Sequence, residues 1–147
     1  MIELIELPEL TAIGIMVEAP EPELAQAISR AWTWLFETET GASSFLAASI
    51  GVEGAIHREL VGFLAARKTD VPPGMILYEI PAQRYLRIGY EGPVSGIADG
   101  FAQLYAYAAA RGLTATEFKL DFGYIPGLPA VRHELHVALA PEILRLG

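Results

Sequence analysis

Apolar and β-branched residues recur at every second position in two stretches of the chain. Thr11, Ile13, Ile15 and Val17 form one run and Leu86, Ile88 and Tyr90 the other, predicting two strands that each turn one face to a core. A turn signal closes each run: Glu21-Pro22 in the first and Pro93 to Ser95 in the second. Beyond it the apolar period lengthens to that of a helix. Ala25, Ile28, Trp32 and Leu35 make one stripe, and Ile97, Phe101, Leu104, Tyr105 and Ala108 the other, in helices of about four turns that Gly41 and Gly112 are placed to stop. Two more strands follow each helix. The stretch Lys68 to Gly74 (KTDVPPG) reads as the linker between two halves.

The halves repeat one another. Leu4, Glu6, Pro8, Ile15, Glu18 and Pro20 fall on the identical Leu77, Glu79, Pro81, Ile88, Glu91 and Pro93, and Trp32 and Trp34 fall on Tyr105 and Tyr107. Further on the register slips, so that SIGV (49 to 52) meets DFGY (121 to 124) and ELVGFL (59 to 64) meets ELHVAL (134 to 139). Each half reads as a strand-rich hairpin, one helix and two strands, too small to cover both faces of its own sheet. Pairing the halves about a pseudo-twofold axis solves that problem. The expected fold is therefore α+β, a tandem repeat over about 1–67 and 74–141 within one domain spanning 1–147. It has an antiparallel sheet, two main helices and a central groove wide enough for a small molecule.

Composition narrows the function. The chain has 147 residues, over half of them apolar, and ten Lys and Arg against eighteen Asp and Glu leave a net charge of −8. That field disfavours direct nucleic-acid binding and favours cations. No cysteine is present, which removes disulfides and thiolate chemistry. No apolar run is long enough to cross a membrane and the acidic start MIELIELPE is unlike a signal peptide, so the expected location is the cytoplasm.

GMILYEIPAQRYLRIGYEGPVSGIADGFAQLYAYAAARG, followed by EFKLDFGYIPG and HELHVAL, resembles the GyrI-like small-molecule-binding domain, the effector-binding domain of AraC- and MerR-type multidrug regulators. The resemblance implies two pseudo-symmetric strand-helix-strand-strand (SHS2) modules whose groove takes lipophilic, often cationic, aromatic compounds. It also implies an acidic residue in the last strand that meets the ligand's charge, here Glu134. Tyr107 stands where the family commonly has Trp, Val94 where it has Tyr, and His136 where Tyr often sits.

On these grounds the candidate ligand-binding residues are Glu134, Glu59, Trp32, Tyr105, Tyr85, Phe36 and His136. The matched ELVGFL and ELHVAL put Glu59 in the place of Glu134, giving the groove floor two acids, each with a structural alternative: a pair with Arg132, Arg84 or Arg87 for Glu134, and a solvated strand end for Glu59. Trp32 and Tyr105, at matched helical positions, would wall an aromatic cage above them. His133 and His136 fall on opposite faces of a strand, so they suit no common metal. His57 reads as a surface residue in a connection. The expected function is a stand-alone sensor or sequestering protein for lipophilic cations, monomeric or weakly dimeric, with no cofactor. Relatives that hydrolyse cyclopropanoid cytotoxins supply an enzymatic alternative, with Glu134 as general base and Tyr105 or Tyr85 polarising the substrate. A gyrase-inhibitor-like protein partner is the third.

Overall fold

A computed structural model describes residues 1–66 and 70–141. The start of the linker-like stretch, Lys68 included, lies outside the described residues. In chain order the elements are β1 (Glu3–Leu7), β2 (Leu10–Pro20), α1 (Glu21–Glu37), β3 (Phe45–Glu53), β4 (Ile56–Ala65), β5 (Ile76–Ile80), β6 (Gln83–Gly92), α2 (Ile97–Ala110), β7 (Ala115–Tyr124) and β8 (Val131–Leu139). A single 3-10 turn, Val94–Gly96, leads into α2. The strands form one antiparallel sheet in the order β1-β6-β8-β7-β3-β4-β2-β5. The fold is thus α+β, as the pattern predicts.

That order reads alike from either end once β1 to β4 are matched with β5 to β8. The pseudo-twofold axis passes between β3 and β7, where Ala47 lies opposite Asp121. The halves are not the self-contained hairpins expected from sequence. β1 pairs with β6 of the second half, and β5 pairs with β2 of the first. The repeated words LIELPEL and LYEIPAQ are therefore exchanged strands that cross between the halves.

The exchange also bends the sheet. β1 and β2 lie six places apart, about 29 Å in a flat sheet at strand spacing. Only Pro8 and Glu9 join them, a connector that reaches about 11 Å. Pro81 and Ala82 join β5 to β6 under the same constraint. The sheet must curl until its edges approach. Inside the curl Ala12, Leu46, Leu60, Ile80, Tyr85, Leu120 and Ala138 pack together with no helix over them, all fully buried. Gly14 and Gly62 pair across β2 and β4, and a Cβ on Gly62 would stand 2.3 Å from the Ile13 carbonyl oxygen.

The outer face carries the helices and a second core, in which Trp32 and Leu35 of α1 and Leu104 and Ala108 of α2 meet Ile13, Val61, Leu135 and Val137 of the sheet. Gly112 stops α2 as expected: it takes a left-handed conformation and lets the Leu113 N–H reach back to the Ala108 carbonyl at 2.9 Å. Gly41 plays no such part. α1 ends earlier, at Glu37, where Thr38 satisfies the last turn by donating its N–H to the Leu35 carbonyl and its hydroxyl to that of Trp34. No helix among the described residues is long and apolar enough to cross a membrane.

Candidate ligand-binding groove

Between the N-terminal halves of α1 and α2 lies a cavity of about 400 Å³, directly over the pseudo-twofold axis. Its walls are apolar: Ala25 and Ile28 from α1, Val94, Ile97, Ala98 and Phe101 from the turn and α2. The floor is polar, because the outward row of β7 brings in Lys119 and Asp121 and the rows beside it bring in Ser49 and Glu59. Two carboxylates thus stand beneath a hydrocarbon trough.

Asp121 is the more enclosed of the two, with 3% of its surface exposed. One carboxylate oxygen accepts the Tyr124 hydroxyl at 2.5 Å and the other lies 2.9 Å from His133 Nδ1. Burial raises its pKa to about 6, against the opposing pull of Tyr124 and His133. The nearby Glu59 charge pushes it the same way as burial. Glu59 accepts a short hydrogen bond from the Ser49 hydroxyl, and burial raises its pKa too, while Ser49 and Lys119 act to lower it.

Behind this floor the aromatic rings continue. Tyr124 stacks on Trp32 at 4.3 Å between centroids, and Trp32 on Phe36 at 5.1 Å. The Asp121 carboxylate is thereby tied through Tyr124 to the packed interior of α1, which limits its freedom to turn away.

A second cavity, of about 530 Å³, adjoins the first under the C-terminal half of α2. The two share Ser49, Glu59 and Lys119, and Tyr105, Thr116, Glu117 and His57 belong to the second alone. The Tyr105 hydroxyl donates to the Thr116 carbonyl at 2.7 Å, which fixes the ring as its wall.

A family model described as the GyrI-like small-molecule-binding domain matches residues 1–129. The chain belongs to the GyrI-like family. Among curated proteins no sequence matches it. Solved structures share the fold at low identity. SAV2435 bound to tetraphenylphosphonium superposes with a TM-score of 0.73 and 12% identity over 95% of this chain and 94% of the other. The C-terminal domain of EcmrR gives 0.67 and 12%, covering 95% and 97%. A hydrolase from Listeria innocua gives 0.54 and 13%, covering 95% and 91%.

In this GyrI-like chain the residues singled out from sequence do not all converge. Glu134 is not on the groove floor. It shares a face of β8 with His136 and Ala138, the face turned away from the helices, and its carboxylate lies 3.0 Å from Arg132 and 3.6 Å from Arg87. The reason is a register difference of one residue. Val17 pairs with Glu59, and its repeat mate Tyr90 pairs with His133, so Glu59 matches His133 and Leu60 matches Glu134. In a strand one residue changes the face.

Tyr85 and His136 lie on that same inner face. His136 stands edge-on to Tyr85 and Phe122, with centroids 5.7 and 5.2 Å away, and burial drives its pKa down to about 4. Trp32 and Phe36 line a separate depression beside Gly127 and Leu128, away from Tyr105, so no shared cage forms. His57 belongs to β4 and faces the second cavity rather than a surface connection. Of the seven candidates, Glu59 lines the groove itself and Tyr105 the adjoining cavity.

Asp121 was missed by sequence reasoning although it lies in the quoted DFGY. Alternation along EFKLDFGY puts Glu117, Lys119 and Asp121 on one face, which reads as a solvated face. The repeat carried only part of the signal: it matches β3 with β7, the strands at the axis, but SIGV and DFGY align Asp121 with Ser49, two residues away from its structural mate Ala47.

Proposed function

We propose that the protein binds lipophilic cations in the groove between α1 and α2, with Asp121 and Glu59 supplying the charge match. The observation that carries this reading is a buried, doubly hydrogen-bonded carboxylate beneath walls of Ile28, Ile97 and Phe101. Such walls remove aryl groups from water at about 25 cal/mol per Å². A fixed carboxylate in a poorly hydrated site attracts a cation more strongly than one in water. The SAV2435 structure, of the same fold and bound to tetraphenylphosphonium, supports the choice of ligand class.

Titration with tetraphenylphosphonium and with neutral triphenylphosphine oxide tests it. Asp121→Asn weakens the cation by about tenfold or more and leaves the neutral compound within about twofold. Glu134→Gln, on the opposite face of the sheet, changes neither. Equal losses for both compounds in Asp121→Asn would remove the carboxylate from the role.

Hydrolysis is the second reading. What favours it is the Asp121 carboxyl, with a pKa raised to about 6 and flanked by Tyr124 and His133, in the range where a carboxylate serves as a general base. Turnover of a bound ester or strained ring, rather than stoichiometric binding, would separate it from the first.

A further inference from the structure

The cavity next to the groove differs from it in kind. Where the groove has two charged side chains besides Lys119, namely Glu59 and Asp121, the second chamber gathers more: Lys119, Arg58 and His57 face Glu59 and Glu117, with Val52, Ala115 and the Tyr105 ring as its apolar lining. The Lys119 ammonium has a single hydrogen bond among the described residues, to the Glu117 carbonyl oxygen at 3.3 Å, and stands 5.6 Å from the centre of the Tyr105 ring. At the rim the Arg58 guanidinium lies 3.7 Å from the Glu18 carboxylate.

Charge logic limits what can lie there. A second cation would meet Lys119 and Arg58 without the Asp121 carboxylate that offsets Lys119 in the groove, and an anion would meet Glu59 and Glu117. An aryl group would strand the polar lining without partners, at a cost of about 1–3 kcal/mol for each group left unpaired. A neutral group bearing several hydroxyls offers both a donor and an acceptor at each position, and its C–H face can lie against an aromatic ring. The two chambers share Ser49, Glu59 and Lys119, so one molecule can extend through both.

We propose that the second chamber is a subsite for a polyhydroxylated arm, so that the ligands of this protein are amphiphiles with an apolar body in the groove and a sugar or polyol beside Tyr105 and Lys119. The proposal rests on the groove reading above, since the apolar body is held there.

Three probes test it: naphthyl β-glucoside, methoxynaphthalene as the same body without the sugar, and tetraphenylphosphonium. The glucoside is expected to bind about tenfold more tightly than the methyl ether. Lys119→Met and Glu117→Gln should each remove most of that gain. Glu117→Gln should leave tetraphenylphosphonium binding unchanged, because Glu117 lies outside the groove, and this also shows that the variant is folded. Equal affinity of glucoside and methyl ether, with tetraphenylphosphonium still bound, would overturn the subsite and leave the groove reading standing. Failure of the unmodified protein to bind tetraphenylphosphonium would overturn both.

Discussion

Asp121 shows how one carboxylate can be buried and still remain available. Burial, with a smaller push from Glu59, opposes the charged form, its hydrogen bonds to Tyr124 and His133 favour it, and the balance sets its pKa near 6. A cation favours the ionised form, so below about pH 6 binding must first expel a proton. Affinity for tetraphenylphosphonium should therefore be flat above about pH 7 and fall by up to about tenfold per pH unit below 6. Isothermal titration at stepped pH checks this, and Asp121→Asn should flatten the profile. An equally steep fall in that variant would place the titrating group elsewhere.

His136 makes the opposite case. Its folded pKa is depressed to about 4, so below the ordinary histidine range the unfolded chain takes up a proton that the native one refuses. The stability it contributes is present near neutrality and is lost as the pH falls from about 6.5 toward 4. Between pH 7 and 5 the loss is about 2 kcal/mol. His136→Phe, in a pocket already lined by Tyr85 and Phe122, should lose that much less over the same interval by urea unfolding. Asp121 changes stability in the opposite sense over part of this window, but it is common to both proteins and cancels in the difference. Parallel curves would contradict the assignment.

At the scale of elements, strand periodicity and helix stripes were legible because burial on one face imposes a period. Ile13 and Val17 and then Trp32 and Leu35 turn to the same core that the pattern assigns them. The partner of each strand was not legible. β1 reads as half of a hairpin because Pro8 and Glu9 make a short connection, yet the same two residues carry the chain to the far wing of a curled sheet. Nor was the strand offset legible, for ELVGFL and ELHVAL match best by identity one residue out of their structural register, and that residue decides which face carries Glu134.

The pairing of β2 with β4 at this point admits glycine on both strands, Gly14 opposite Gly62. A side chain on Gly62 meets the Ile13 carbonyl oxygen, a backbone atom that cannot move without breaking the ladder. Gly62→Val should cost about 1–3 kcal/mol or more, read as a lower urea midpoint. An unchanged midpoint would mean that the strands can separate there at no cost.

Taken whole, the molecule is two copies of one unit whose outer strands are exchanged and whose helices leave a trough over the symmetry axis. Duplication provides the trough but not its chemistry. Across the axis Asp121 is matched by Ala47, and Glu59 by His133. The two acids come from different halves and sit at non-equivalent positions, so a nearly symmetric scaffold holds a one-sided site. One copy alone would have neither the second wall nor the second acid.

The most direct test of this account is where a lipophilic cation sits. With methyl-labelled protein and tetraphenylphosphonium, intermolecular NOEs from the phenyl protons should reach the methyl groups of Ile28, Ala98 and Ile97, which wall the groove. NOEs confined to methyl groups of the helix-free side, such as those of Ile5 or Leu10, would contradict it.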